Sequence, residues 1–243
     1  MAFKKERRKF VTGLGSWAVG LWLASSRPQR QALAQSNKQC KGAVMKLPPV
    51  TMEGMISVEQ AIKQRRTVRS YKPKMLHLEQ LTKLLWSAQG VTDESRFKRA
   101  VPSAGALYPM DIYTVAGQDS VEQINAGVYH YESKKHLLTQ VTAQDLRDEV
   151  AKAALFQTWM AEAPLNFVIT AEYSRVTSKY GKRGVRYARI EAGHIGQNLF
   201  LQAEALGLKA GIVGAFHDKK LIDVMKIPRT HEPLLIMPVG YAA

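Results

Sequence analysis

Three short stretches of the chain carry groups that could do chemistry. Gln64-Arg65-Arg66-Thr67-Val68-Arg69-Ser70-Tyr71 places three guanidiniums and a hydroxyl within five residues. That is enough charge-assisted donors to surround a phosphate dianion. The group sits where a helix should end and an extended segment begin, and a helix C-terminus tolerates cations without bringing an anion to compete. Ala100-Val-Pro-Ser-Ala-Gly-Ala-Leu-Tyr-Pro109 is rich in small and turn-forming residues ahead of a strand. Its backbone N–H groups could donate to a polar ring edge or a ribityl chain. Gly211-Ile-Val-Gly-Ala-Phe216 reads as a strand end whose backbone could lie against a flat ring. Taken singly, each has a plainer reading: a solvated basic edge, an ordinary loop, an ordinary strand end.

Other chemistries lack their residues. The chain has no G-x-S-x-G, no G-x-x-x-x-G-K-[ST] and no H-E-x-x-H, so the commonest hydrolase, P-loop and zincin readings fall away. Gly207-Leu-Lys-Ala-Gly-Ile-Val-Gly214 has the wrong spacing for a dinucleotide fingerprint and ends a helix rather than opening one. Glu191-Ala-Gly-His194 is a single E-x-x-H pair, where a di-iron bundle needs two. The six histidines never fall at metal-ligand spacing, and the one cysteine, Cys40, forms neither a disulfide framework nor a metal cage. No metal is expected.

The elements that must position these stretches follow from periodicity. Ser57-Val-Glu-Gln60 has the capping-box form and should open a helix. Leu78, Leu81, Leu85 and Ala88 form one stripe of a helix stopped by Gly90. Asp111–Ala116 reads as a strand, and Val128–Tyr131 with Leu137–Leu138 as a hairpin. A capped helix is expected over 142–156, followed by a buried strand over 166–170. A long helix spans about Val185 to Leu206 and ends at Gly207. On it Ala188, Ala192, Gly196 and Ala203 share a face, which suits either close approach of a flat ligand or tight core packing. Ala210–Gly214 and Leu234–Val239 read as strands. The whole is one α+β domain over 56–243 behind an extended lead-in over 35–55.

The chain has 243 residues, 46% of them apolar, with 35 Lys+Arg against 20 Asp+Glu. These values fit a globular protein with a substantial core. Residues 1–34 have the layout of an export signal: Lys4, Lys5, Arg7, Arg8 and Lys9, an apolar run from Phe10, and the small-residue site Ala32-Leu33-Ala34. Arg7-Arg8-Lys9-Phe10-Val11 resembles the twin-arginine motif, so the twin-arginine machinery is an expected partner. The apolar run has about 16 residues, short of the roughly 20 that span a bilayer. Cleavage near Ala34 and a periplasmic location are therefore expected, with no stable membrane span left. Seven basic groups and one acid lie in that segment, so the net charge falls from +15 to +9 without it. That charge, without a zinc-finger, RRM or helix-turn-helix signature, calls for no nucleic-acid partner.

The three stretches, in this order and at these separations, resemble the nitroreductase-like flavoprotein family over roughly Ser57 to Tyr241. Lys179-Tyr-Gly-Lys-Arg-Gly-Val-Arg-Tyr187, Glu191-Ala-Gly-His-Ile-Gly-Gln-Asn-Leu199, Ala205-Leu-Gly-Leu208 and Met237-Pro-Val-Gly-Tyr241 look like its SagB-type (thiazole/oxazole dehydrogenase-like) branch. The resemblance implies a mainly antiparallel sheet flanked by helices, in a homodimer holding FMN at its interface. By it, Arg65, Arg66, Thr67 and Arg69 match the phosphate- and pyrimidine-binding segment. Pro102, Ser103, Ala104 and Gly105 match the loop lent to the other subunit's flavin. Val213, Gly214 and Ala215 match the segment whose backbone N–H lies near flavin N5, where hydride enters or leaves. Lys179 and Tyr180 match the branch's pair, as proton acceptor and relay if burial lowers the lysine's pKa. Two departures stand out: Ala106 replaces the usual amide side chain, and the chain stops at Ala243 where ordinary nitroreductases carry a basic tail.

The expected function is an exported FMN oxidoreductase passing two electrons between a small organic substrate and a second partner. An azoline dehydrogenase acting on a modified peptide is the alternative within the family. A flavin-fold binding module without chemistry is the alternative outside enzymes.

Overall fold

A computed structural model describes residues 42–243 apart from 53, 55 and 96. The segment expected to be an export signal, its expected cleavage site and Cys40 lie outside the described residues. The centre is a seven-stranded sheet, antiparallel at every pairing of its strands, in the order β1-β4-β3-β2-β5-β7-β6. The strands are β1 (Val44–Lys46), β2 (Met110–Ala116), β3 (Gly127–Glu132), β4 (Leu137–Thr142), β5 (Leu165–Ala171), β6 (Lys209–Ala210) and β7 (Glu232–Gly240). Every residue of β2 and β5 is buried, as expected for adjacent central strands covered on both faces.

The helices are α1 (Val58–Gln64), α2 (Leu78–Gln89), α3 (Arg147–Ala153), α4 (Trp159–Glu162), α5 (Ser174–Tyr180), α6 (Arg183–Ala205) and α7 (Asp218–Met225). Among the described residues, none is long and apolar enough to cross a membrane. The capping box opens α1 as expected: Gln60 N–H donates to Ser57 Oγ at 3.2 Å and Ser57 N–H to Gln60 Oε1 at 3.1 Å. Gly90 stops α2 for a reason other than a left-handed cap. Its φ is −62°, and a β-carbon there would strike the Trp86 indole. Gly207 does take the left-handed conformation, φ 69°, and Leu208 N–H closes the end of α6 on Ala203 O at 2.8 Å.

Some elements differ from the sequence expectation. The lead-in contributes β1, which pairs with β4. The helix expected over 142–156 shrinks to Arg147–Ala153. Thr142 is held in β4 opposite Val128, and Leu155 and Phe156 both adopt positive φ, 56° and 60°, which no helix accommodates. The strand expected over Ala210–Gly214 is a ladder only at Lys209–Ala210. Beyond it, Gly211 and Val213 still donate to Pro238 O and Ile236 O, each at 2.8 Å. Helices α4, α5 and α7 are short and were not expected.

The 23-residue α6 packs its small-residue face into the core. Ala188, Ala192 and Ala203 are 0–2% exposed. A β-carbon on Gly196 would stand 3.4 Å from Leu235 and 3.5 Å from Met237, so the close approach serves the sheet. Of the two uses open to this face, core packing is the one realised. Gly193, on the open side of the same helix, has nothing within 4 Å of its β-carbon position. Gly196→Leu should therefore cost about 1–3 kcal/mol in urea unfolding by overpacking. Gly193→Ala should instead gain about 0.5–1 kcal/mol from helix propensity.

Candidate active site

The candidate residues gather into two groups along α6. At its C-terminal half, the segment after α1 runs beside the sheet edge: Thr67 forms a parallel bridge with Ala210, and Val68 N–H donates to Ala210 O at 3.0 Å. The Arg65 guanidinium lies over the Phe200 ring at 5.0 Å and Arg69 over Trp159 at 5.8 Å. Among the described residues no carboxylate comes within ion-pair reach of either. Arg66 is used differently. Its Nη1 donates to Lys63 O at 2.9 Å and Arg65 O at 2.8 Å, closing the end of α1.

The Val213–Ala215 segment belongs to the same group. Val213 is buried on the sheet, while Gly214 and Ala215 are exposed. Gly214 has no atom within 4 Å of its β-carbon position, which leaves open space over this backbone. Gly211 is needed for packing, since a β-carbon would press on Val68 O at 2.8 Å and Trp159 at 2.9 Å. Two guanidiniums resting on aromatic rings, without a carboxylate partner among the described residues, and a segment with an uncovered glycine backbone suit a phosphorylated, flat ligand such as FMN.

The second group surrounds the loop over 102–108. Gly105, Ala106 and Tyr108 all have positive φ, 63°, 54° and 46°, an unfavourable run for the two that are not glycine. Hydrogen bonds from several elements hold it. Tyr108 N–H donates to Ser103 Oγ at 2.9 Å, and Tyr108 Oη donates to Phe97 O at 2.7 Å. Asn198 of α6 donates to Ala100 O at 3.3 Å. Lys179 and Tyr180, the last residues of α5, lean on the same loop. A β-carbon on Gly105 would meet Tyr180 Oη at 2.8 Å and Lys179 Nζ at 3.2 Å. Lys179 is exposed and Tyr180 half-buried, and Tyr180 packs edge-on against Tyr187 of α6 at 5.2 Å. Pro102, Ser103, Ala104, Tyr187, Glu191 and His194 line a hollow of about 290 Å³.

Sequence reasoning missed Glu191 as more than half of a metal motif. It is 2% exposed, accepts a hydrogen bond from Gln89 Nε2 at 3.0 Å and shares the hollow with Ser103. Burial pushes its carboxyl up to about 6, against the pull of the Gln89 bond and of Arg99. The one signal of it in the sequence was an acid among the small residues of a long helix.

A further polar cluster was not legible from linear spacing. Asp111, Glu172 and His231 each place a possible ligand atom within 4.8 Å of the others. Arg175 Nη2 already sits 2.9 Å from Asp111 Oδ2 and 2.6 Å from Glu172 Oε2, so a guanidinium already bridges the two carboxylates. Burial raises the Asp111 carboxyl, but the His130 hydrogen bond at 2.8 Å and the Arg175 charge outweigh it and leave it below its ordinary value. A depressed carboxylate stabilises the fold above its unfolded pKa and loses that contribution as pH falls through the folded one. Asp111→Asn should thus cost about 1.5–3 kcal/mol at neutral pH. In urea titrations its deficit should shrink as the pH drops below about 4.

Comparison with known proteins agrees with this geometry. The model of the Nitroreductase family matches residues 62–241. MJ1384 of Methanocaldococcus jannaschii, a nitroreductase by name, is 43% identical over 185 residues, covering 76% of this chain and 91% of its own. The microcin B17-processing protein McbC of Escherichia coli is 29% identical over 171 residues, 68% of this chain and 62% of McbC. A crystal structure of a nitroreductase-named protein from Ralstonia eutropha superposes with a TM-score of 0.72 at 27% identity, covering 84% of this chain and 93% of that one. The E. coli microcin synthetase McbBCD complex contains a chain that superposes with a TM-score of 0.64 at 24% identity, covering 91% and 85%. The chain therefore belongs to the nitroreductase family of oxidoreductases.

Proposed function

We propose that this protein is an exported, FMN-dependent oxidoreductase that moves two electrons between a small organic substrate and a second partner, and that it works as a homodimer. The observation that carries the reading is the pair Arg65 and Arg69. Both are stacked on aromatic rings without a carboxylate partner among the described residues, and Trp159, under Arg69, packs against Gly211, three residues ahead of the uncovered backbone of Gly214. Bound there, FMN would supply two-electron redox chemistry. Arg65 and Arg69 would hold its phosphate by charge-assisted bonds, with Thr67 alongside. The Val213–Ala215 N–H groups would face the ring and stabilise charge developing on it.

The placement of the two groups supports a pair of chains. Glu191, behind the loop, and Phe200, under Arg65, are nine residues apart on α6, about 13 Å along the axis at 1.5 Å per residue. A second copy could bring its 102–105 loop and its Lys179–Tyr180 pair against the first copy's arginines. Ile190 and Ile212, 47% and 36% exposed, offer apolar surface for that contact. Export would follow from the arginine pair and apolar run of residues 1–34. A periplasmic setting favours a quinol, a redox protein or oxygen as the second partner over a nicotinamide.

A second reading, azoline oxidation on a modified peptide, rests on one observation. Lys179 and Tyr180 stand against Gly105, where a proton acceptor next to the flavin loop would be needed. The names of McbC and of the trifolitoxin-processing protein TfxB of Rhizobium leguminosarum, 32% identical over 147 residues, agree with it.

Titration of FMN fluorescence tests the main reading. Arg65→Ala and Arg69→Ala should each weaken FMN binding about 10- to 100-fold, the worth of a hydrogen bond to a charged group. Arg229→Ala, at an exposed ion pair with Asp223, should leave it unchanged. Equal affinity in all three variants would contradict the assignment of the phosphate site.

A further inference from the structure

The turn between α3 and α4 holds out two large apolar side chains in a conformation that neither favours. Leu155 and Phe156 follow one another with φ of 56° and 60°, the left-handed region in which a β-carbon is crowded. They are 50% and 70% exposed, so core burial gives little in return. The turn is nevertheless fixed from both sides. Gln157 Nε2 donates to Ala154 O at 2.9 Å and to Ala215 O at 3.2 Å, and His217 N–H donates to Ala153 O at 2.9 Å. An outlier held this firmly points to a use for what it presents. Cations border the tip. Lys220 of α7 carries its Nζ 5.8 Å over the Phe156 ring. Lys219 beside it and Lys152, three residues ahead of Leu155, are exposed as well, with Asp218 as the acid next to them in the chain. Among the described residues none of the three lysines has a carboxylate within ion-pair reach. The proposed contact between two copies uses neither Leu155 nor Phe156.

We propose that the Leu155–Phe156 tip is a contact with an anionic lipid surface. The two apolar side chains enter the bilayer interface, and Lys152, Lys219 and Lys220 meet the headgroups. Such a tip is complementary to that surface on both counts: apolar area enters the acyl boundary, and each lysine near anionic lipid adds attraction. A lysine stem can lie along an aromatic ring while its ammonium stays among the headgroups. Two side chains and three lysines give reversible attachment rather than anchoring. Gln157 ties the tip to Ala215, so attachment turns the Val213–Ala215 segment toward the bilayer. On the flavin reading, that favours a quinol dissolved in the bilayer as the second partner. This consequence rests on the flavin reading; the lipid contact does not.

Residues 1–34 carry an apolar run of their own, so the test on the full chain must read the tip locally. In a Cys40→Ser chain, Leu155→Cys or Phe156→Cys takes a single environment-sensitive label (NBD), with Val44→Cys as the control. Val44 is 62% exposed on β1, at the sheet edge opposite β6. Vesicles of phosphatidylglycerol mixed with phosphatidylcholine should brighten and blue-shift the labels at 155 and 156, while the label at 44 stays in water. Phosphatidylcholine alone should give a weaker response. Lys220→Glu should raise the lipid concentration for half the response about 10-fold, and added salt should raise it too. Labels at 155 and 156 that stay in water with both vesicles, or a response that Lys220→Glu leaves unchanged, would overturn the inference. So would labels already shielded in buffer that become wet on dilution, which would give the tip to a second copy of the chain. An FMN titration of the same chains keeps the two claims apart. Insertion of the tip in a chain that takes up no FMN would overturn the flavin reading and leave the lipid contact standing.

Discussion

Helix α6 can serve the site only because one of its faces is almost bare. Gly196, with Leu235 and Met237 at ordinary contact distance from where a β-carbon would be, together with Ala188, Ala192 and Ala203, lets the helix axis settle close to β7 and β5. With that side committed to the sheet, the remaining sides present the supports of the candidate site. Phe200 lies under Arg65, Asn198 holds Ala100, Glu191 shares a hollow with Ser103, and Tyr187 backs Tyr180. A larger residue at Gly196 would push all four outward together.

The electrostatics divide along the same helix. In the cluster of Asp111, Glu172, Arg175, His130 and His231, Arg175 bridges both carboxylates at 2.6–2.9 Å and His130 reaches Asp111 at 2.8 Å. It fastens α5 to the sheet through Arg175. Arg65 and Arg69 lack such partners among the described residues and rest on aromatic rings, which supports a guanidinium while leaving its donors free. Leaving two cations without a carboxylate among the described residues gives up the ion pairs they could have made there. A bound anion would restore that loss.

Much of this was readable in the sequence where a local rule acts alone. The capping box at Ser57, the apolar stripe of α2, the buried strands β2 and β5 and the left-handed Gly207 each follow from a few neighbouring residues. The candidate segments were also legible, because Arg and Gly-rich stretches declare their donors. What was hidden depends on partners distant in the chain. β1 exists because β4 is there to pair with it. The helix before Phe156 is cut short by a turn whose positive φ values no propensity suggests. Gly90 is a glycine because of the Trp86 ring. Glu191 was weighed as half of a lone E-x-x-H pair and set aside as a metal ligand, and only folding shows that Ser103 shares its hollow. Arg66 looked equivalent to Arg65 and Arg69, yet its guanidinium turns back onto α1.

The central claim is that the family fold here carries a flavin. The visible absorbance spectrum of the purified protein, produced in a cell that matures flavoproteins, tests it most directly. The account predicts the paired bands of a bound flavin, with FMN as the cofactor released on unfolding. A folded, colourless protein that takes up no added FMN would contradict it and leave the free arginines to some other anion.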